Sequence, residues 1–168
     1  MTTESGIVLH RIECVNAFSN VKVGEKGGFV EKEENLSQYN NCWVYENARV
    51  FGDACVFGNS RVCENARVCE NARVHGDALV CGDARVCGDA ILCGDAIIKN
   101  GNDYIVFKNK WSSGRDFTWT RSNDMWKVGC FYGTGKELIE KAYKDSKLSG
   151  DCYKAYVELV EKLKEIQK

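Results

Sequence analysis

The stretch that decides the fold is ALVCGDARVCGD at residues 78–89, which is one six-residue pattern repeated with a single difference. The pattern extends in both directions, so that residues 41–100 divide into ten such units. In each unit an aliphatic residue is followed four positions later by a small one, with turn-forming or acidic residues between them. Self-similarity at a fixed period indicates a repeat architecture.

Strand geometry explains what each position of the unit does. Ala78 and Val80 project to one side of a short strand, because successive side chains alternate. Leu79 and Cys81 project to the other side. Gly, Asn and Asp then supply a corner, since these residues tolerate left-handed backbone angles. The unit therefore predicts a β-solenoid filled with Ala and Val, in which three units per coil stack equivalent residues at about 4.8 Å.

Three units per coil place residues eighteen apart in columns on the outer surface. The columns singled out are Arg49, Arg67 and Arg85; Phe51, Cys69 and Cys87; Tyr45, Cys63, Cys81 and Lys99; and Phe57, His75 and Cys93. An arginine column requires acids or anions between its members, because like charges directly opposite repel. The array has five Arg and one Lys against eight acids, so binding to extended nucleic acid is not expected.

The repeat array divides the chain into three parts. Residues 1–40 are predicted to cap the solenoid and to contain an apolar strand at 7–12, because a terminal coil exposes unpaired strand edges. Residues 41–100 form the solenoid. Residues 101–168 lack the repeat and are predicted to form a small C-terminal α+β module.

The C-terminal module is predicted to contain three short strands and two helices. The strands are expected at Tyr104–Lys108, Asp116–Thr120 and 126–131. Thr134 and Glu137 have the spacing of a capping box at the start of the first helix. The second helix carries an apolar stripe that is expected to pack on the sheet or on a second subunit. The members of that stripe are Cys152, Tyr156, Leu159, Leu163 and Ile166.

Composition narrows the class of protein. The net charge is −1, so the total charge gives no reason to expect a nucleic-acid or membrane partner. No apolar run is long enough to span a membrane, and residues 1–19 lack the hydrophobic core of a signal peptide. We therefore expect a cytoplasmic protein whose ten cysteines are reduced.

Short motifs at both ends of the chain carry a family resemblance. They are KVGEKGGFVE at 22–31, ENLS at 34–37, NCWVY at 41–45, NDY at 102–104, VGCFYGT at 128–134 and YKAY at 153–156. With these motifs the chain resembles phage and prophage hexapeptide-repeat proteins over nearly its whole length. The resemblance implies a mainly β fold with a left-handed parallel β-helix, and a place in the bacterial host cytoplasm. Relatives are often labelled acyltransferases on fold alone, and fold does not fix function.

Catalysis and metal binding are the two chemistries that single residues suggest. A CoA-dependent acyltransferase needs a His general base at a groove, and His75 is the candidate, in its column between Phe57 and Cys93. No orienting carboxylate is evident in the sequence, so no catalytic residue is predicted and His75 is the runner-up. Stacked cysteines suggest shared zinc, but no CxxC pair is present, so neither a metal nor a cofactor is predicted.

A contact surface is the remaining candidate site, because Trp, Tyr and Arg dominate binding hot spots. About half of the C-terminal aromatics are expected to form the core of the small module instead. The predicted contact residues are Arg49, Arg67, Arg85, Trp111, Arg115, Trp119, Arg121, Trp126 and Tyr132.

The sequence therefore favours a non-enzymatic, phage-type binding protein. The expected partner is a host protein complex or a small nucleotide, as for a counter-defence inhibitor. The alternatives are a CoA-dependent acyltransferase and a purely structural spacer. Self-association as a dimer or trimer is expected through flat solenoid faces that carry apolar residues. These residues are Phe51, Phe57, Leu79 and Ile91.

Overall fold

The structure is a computed structural model that describes residues 1–167. An N-terminal hairpin is formed by β1 (His10–Glu13) and β2 (Lys26–Val30). Ten two-residue strands follow at six-residue intervals. They are β3 (Trp43–Val44), β4 (Arg49–Val50), β5 (Cys55–Val56), β6 (Arg61–Val62), β7 (Arg67–Val68), β8 (Arg73–Val74), β9 (Leu79–Val80), β10 (Arg85–Val86), β11 (Ile91–Leu92) and β12 (Ile97–Ile98).

These strands stack into the three parallel faces of a β-solenoid, which confirms the predicted fold. The first sheet has the order β1-β2-β4-β7-β10, the second β5-β8-β11 and the third β3-β6-β9-β12. Within the repeat array each strand pairs with the strand eighteen residues later, as Val50 pairs with Val68. Three six-residue units therefore make one coil.

The interior of the solenoid is filled as the alternation predicts. The Val and Ala positions of the repeat are completely buried, and larger Leu92 and Ile98 occupy the last coil. Ser60 is the polar member of the small-residue positions, and it is also completely buried. Its hydroxyl donates to the carbonyl oxygens of Phe57 and Val74, at 2.8 and 3.1 Å, so its burial leaves no unpaired group.

The corners of the coils are joined by side chains that reach one coil further along. Gly82 has φ +66°, and Glu64 adopts a similar left-handed conformation with φ +60° in the preceding coil. The Glu64 carboxylate accepts a hydrogen bond of 2.8 Å from the Gly82 backbone N–H. This charge-assisted bond offsets the unfavourable backbone of a residue with a Cβ. Glu70 makes the same contact to Gly88, at 2.7 Å.

The solenoid begins earlier than the repeat pattern indicated. Phe29 already pairs in parallel with Arg49, and Leu36 bridges to Val56, within the segment predicted as a cap. The Glu33–Asn35 3-10 turn forms the corner between Val30 and Leu36, and the six-residue period breaks only after Leu36, which precedes Val44 by eight residues. The buried Asn35 amide donates to the carbonyl oxygens of Gly52 and Ala54, at 3.0 and 2.8 Å.

The C-terminal module is a four-stranded antiparallel sheet followed by two packed helices. Its elements are β13 (Tyr104–Lys108), β14 (Asp116–Thr120), β15 (Met125–Val128), β16 (Phe131–Thr134), α1 (Gly135–Asp145) and α2 (Lys147–Ile166). The first two strands and the Thr134–Glu137 capping box are confirmed. The single strand predicted at 126–131 is wrong, because the chain turns at Gly129, where φ is +54°, and returns as β16.

The apolar stripe expected on α2 is only partly the packed face. Tyr153 and Val160 are the buried residues that hold α2 against the sheet and α1, with half-buried Tyr156 and Val157 beside them. Leu159 and Ile166, both in the expected stripe, are instead 45% and 76% exposed. No helix within residues 1–167 is both long and apolar enough to cross a membrane.

Three hydroxyl groups of the C-terminal module close the last coil, one on each sheet of the solenoid. The Tyr104 hydroxyl donates to the Arg85 carbonyl oxygen at 3.0 Å. The Thr118 hydroxyl accepts from the Ile91 backbone N–H at 3.0 Å. On the third sheet the Ile97 N–H donates to the Ser122 hydroxyl at 2.7 Å. The backbone N–H and C=O groups that would form hydrogen bonds with a further coil thus form them with side chains of the module. These hydrogen bonds also fix the module in place.

Candidate ligand-binding groove

An open groove of about 1060 Å³ lies between the second sheet of the solenoid and the C-terminal module. Its floor is the column formed by Cys55, Arg73 and Ile91, which are stacked by strand pairing. The other lining residues are Ser37, Asp53, Phe57, Asn71, Asp89, Lys108, Gly114, Arg115, Asp116 and Gly129. The groove therefore exists only because the module sits against this one sheet.

The module side of the groove is positioned by β13 and β14. Lys108 at the end of β13 pairs with Asp116 at the start of β14, and Arg115 directly precedes it. The hydrogen bond from the Ile91 N–H to the buried Thr118 hydroxyl fixes β14 beside β11. These residues consequently face the solenoid from a rigid strand pair.

Each carboxyl group that lines the groove interacts with a neighbouring side chain. Asp53 forms an ion pair of 2.7 Å with Lys32, and this hydrogen bond holds the pKa of Asp53 below its ordinary value. Asp89 accepts a hydrogen bond of 3.1 Å from the Asn71 amide. Desolvation by burial and then a hydrogen bond with Asp89 raise the pKa of Asp116. Asp116 therefore keeps its proton to a higher pH than an isolated carboxyl group does.

The cations of the groove form no close ion pairs, although the charge of Lys108 acts to lower the pKa of its strand neighbour Asp116. Arg73, Lys108 and Arg115 are all exposed, and none forms an ion pair with an acid of residues 1–167. They stand beside apolar surface from Phe57 and Ile91. The arrangement combines guanidinium and ammonium donors with an apolar floor, which suits a ligand that has both an anionic and a flat apolar part.

His75, the runner-up catalytic residue, lies next to this groove without the partners of a general base. Its ring stacks on Phe57, with centroids 4.7 Å apart and planes 12° apart. Burial, followed by the charges of Lys127 and Arg73, lowers the pKa of His75. Among residues 1–167 no carboxylate forms a hydrogen bond or ion pair with His75, so nothing orients its ring for proton transfer.

Two of the three tryptophans predicted as contact residues lie in the core. Trp119 and Trp126 are 1% and 2% exposed and have no surface to offer a partner, so the contact prediction is corrected for both. A module of four short strands and two helices has few other large side chains to bury, which is why it uses these rings. Trp111 is half-buried and stacks on Tyr156, with ring centroids 5.7 Å apart, and its contact role stays a prediction.

The remaining predicted contact residues are dispersed over the surface. Only Arg115 lines the groove. Tyr132 is 38% exposed, and its hydroxyl accepts from the Asn123 amide at 3.2 Å. Arg121 is hydrogen-bonded to Gln167 near the end of α2. The structure does not bring these residues together into one site.

The predicted arginine column is present on the first sheet. Arg67 pairs with Arg49 on one side and with Arg85 on the other, and no acid of residues 1–167 forms an ion pair with any of them. Beside the column, residues 3–5 and Phe51 enclose a small cavity of about 180 Å³. The column is a strip of positive charge on a different sheet from the groove.

Sequence reasoning missed Arg73, Lys108 and Asp116 as site residues. Arg73 occupies the same outward repeat position as Arg61, so its column could have been included with the others. Lys108 and Asp116 carry no such signal, because their role depends on where the module packs. The distance between a solenoid face and a separate sheet is not encoded in a local pattern.

The fold and the groove together define the chain as a β-solenoid protein with a groove that is lined by three cations and three carboxylates and closed on one side by an α+β module. No protein-family model and no curated protein matches the chain.

Proposed function

We propose that this chain is a non-enzymatic binding protein that holds a small anionic ligand, a nucleotide, in the groove of the second sheet. The observation that carries the proposal is the presence of Arg73, Lys108 and Arg115 in one groove without ion-pair partners among residues 1–167. Unpaired cations around a concave apolar floor favour an anionic guest over a neutral one.

A nucleotide fits the two kinds of surface in the groove. Guanidinium groups bind phosphate through two parallel hydrogen bonds, and an ammonium group binds it as a point charge. Phe57 and Ile91 offer apolar area for a base. The groove volume of about 1060 Å³ is large enough for a ligand of that size.

The sequence resemblance supports a biological setting for such binding. In a phage protein, tight binding without turnover would remove a nucleotide from the bacterial host cytoplasm, which is the action of a counter-defence inhibitor. Self-association as a dimer or trimer is part of the proposal. It is supported by exposed apolar side chains outside the groove, such as Ile97 on the third sheet and Leu159 on α2.

The test is isothermal titration of the purified protein with nucleoside mono- and triphosphates, dinucleotides and acetyl-CoA. Arg73→Gln should weaken binding of the best ligand roughly 10- to 100-fold, because a hydrogen bond to a charged group contributes about 1.5–3 kcal/mol. Arg61→Gln is the matched control, since Arg61 holds the same repeat position on the third sheet, outside the groove. The control should bind like the wild type.

The outcomes separate the competing functions. Recovery of the ligand chemically unchanged supports sequestration. Acetyl transfer from acetyl-CoA that is lost in His75→Ala would replace the proposal with the acyltransferase. Equal binding by the Arg73 and Arg61 variants would refute the groove. If the protein bound no nucleotide and instead captured a host protein complex, the function would be binding to that complex through a protein–protein interface.

A further inference from the structure

Two cysteines and a glutamate meet at a corner of the solenoid that the groove does not use. The Cys63 thiol, the Cys81 thiol and a carboxylate oxygen of Glu64 all lie within 4.8 Å of one another. Within residues 1–167 this is the one such group of three His, Cys, Asp or Glu ligand atoms. It lies between the third and first sheets, whereas the groove is on the second.

Strand pairing places the two sulfur atoms on successive coils. Cys63 directly follows β6 and Cys81 directly follows β9, and these strands pair in parallel. The Cys63 backbone N–H donates to the Val80 carbonyl oxygen at 2.9 Å, so the pairing continues up to the corner. Cys81 is buried and Cys63 is half-buried. The thiols are therefore held together by the backbone and remain accessible from one side.

The carboxylate reaches the thiols because of the corner hydrogen bond. Glu64 accepts from the Gly82 N–H at 2.8 Å through one oxygen, which turns its side chain toward the coil of Cys81. A carboxylate accepts more than one bond, so this hydrogen bond leaves Glu64 able to coordinate a ligand as well. A further carboxylate, Glu46, accepts from the Glu64 N–H at 2.9 Å and adds negative charge near the site.

We infer that Cys63, Cys81 and Glu64 bind a thiophilic divalent cation, with zinc as the expected metal. Two sulfurs and one oxygen provide three ligands of a tetrahedral site, and water completes the fourth. Binding forms two metal–sulfur bonds and one metal–oxygen bond, and the two thiol protons are released to solvent. Because the atoms lie in adjacent coils, the metal would cross-link the solenoid at this corner.

A closely related trio in the same chain supplies an internal control. Cys69, Glu70 and Cys87 have the same residue types and spacing, and Glu70 makes the equivalent corner bond to Gly88. Their ligand atoms do not meet within the same distance. Cys87 is exposed, whereas its counterpart Cys81 is buried. Composition and repeat position alone therefore do not create the site.

The experiment is titration of the reduced, tag-free full chain with Cd²⁺, a spectroscopic substitute for Zn²⁺. A weak chelator is present to suppress binding by single thiols. The wild type should show one saturating equivalent with the ultraviolet charge-transfer band of cadmium thiolate. Cys63→Ser and Cys81→Ser should each lose that equivalent, and Glu64→Gln should weaken it. The double variant Cys69→Ser/Cys87→Ser and the variant Glu70→Gln should retain it.

Zinc content after dialysis, measured by mass spectrometry, gives a second readout on the same proteins. If Cys81→Ser fails to fold, Cys63→Ser carries the test, because Cys63 is less buried. Absence of a saturating equivalent in the wild type would overturn the inference. The inference would also be overturned if the Cys69→Ser/Cys87→Ser variant lost as much cadmium binding as the Cys63→Ser and Cys81→Ser variants. Such a result would indicate adventitious binding by thiols. Nucleotide titration of the same variants keeps this outcome separate from that of the groove.

Discussion

Replacing Thr118 with Val tests whether a hydrogen bond between the Thr118 side chain and the solenoid backbone holds the C-terminal module in place. Thr118 is completely buried in the sheet, and its hydroxyl accepts the Ile91 N–H at 3.0 Å. Val keeps the shape of the side chain but removes the acceptor, so the N–H is left unpaired. A buried donor without a partner costs about 1–3 kcal/mol. We expect Thr118→Val to lower the free energy of unfolding by that amount.

Urea unfolding measures this change, with tryptophan fluorescence reporting on the module and far-ultraviolet circular dichroism reporting on the whole chain. Three of the four tryptophans lie in the module and Trp43 lies in the solenoid, so the fluorescence transition reports mainly on the module. The urea midpoint should fall without a change in slope, because the surface exposed on unfolding is the same.

Ser122→Ala is the matched control. Its hydroxyl also accepts a backbone N–H, from Ile97 at 2.7 Å, but both residues are exposed and water can replace the bond. The control should therefore change stability by less than about 0.5 kcal/mol. If Thr118→Val changed stability no more than Ser122→Ala does, the proposed role of the buried hydroxyl would be refuted.

Two further predictions concern charge. The contact between Asp89 and Asp116 is most favourable when one carboxyl is protonated, and the raised pKa of Asp116 means that this stabilisation is lost as the pH rises through that pKa. Asp116→Asn should flatten the dependence of the melting temperature on pH in the acid range, whereas an unchanged pH profile would contradict the contact. In the arginine column, Arg67 lies between Arg49 and Arg85 without an acid partner among residues 1–167. Added NaCl should raise the melting temperature of the wild type more than that of Arg67→Gln, because salt screens the repulsion between the three arginines. Equal effects of salt on the two proteins would contradict this repulsion.

The solenoid could be predicted in detail because the residues of each six-residue unit determine the conformation of that unit. The Val and Ala positions specify the inside, the corner residues specify the bends, and a fixed period specifies which residues pair. The repeat period alone therefore predicts that Arg49, Arg67 and Arg85 share one column, and in the structure they pair as expected. The same local logic identified the Thr134 cap of α1.

The first coil was missed for the opposite reason. Val30 and Leu36 keep the six-residue spacing, but Leu36 precedes Val44 by eight residues, and the buried Asn35 occupies the corner in place of the usual Gly or Asp. A search for a fixed period that begins at Val44 therefore stops at this interruption. The Gly129 turn was missed because it contains none of the usual turn pairs, so β15 and β16 looked like one strand.

The groove could not be predicted because it belongs to two separate parts of the chain. Arg73 is fixed by the repeat, and Lys108 and Arg115 are fixed by the module, but only tertiary packing brings them to one opening. The burial of Trp119 and Trp126 follows from the same packing. Aromatic composition alone does not distinguish a small core from an exposed contact surface.

The three hydroxyls that close the last coil also restrict how this protein can change in length. Thr118 must meet the second sheet, with Tyr104 beneath the first and Ser122 beneath the third. Inserting three repeat units between Arg73 and the module would lengthen the solenoid by one full coil and return the module to the second sheet, one coil further from Arg73. Inserting a single unit there would rotate the module onto the next sheet, away from the Arg73 column, and the groove would be lost. Variants of this segment that keep a groove on the second sheet should therefore differ in length by whole coils.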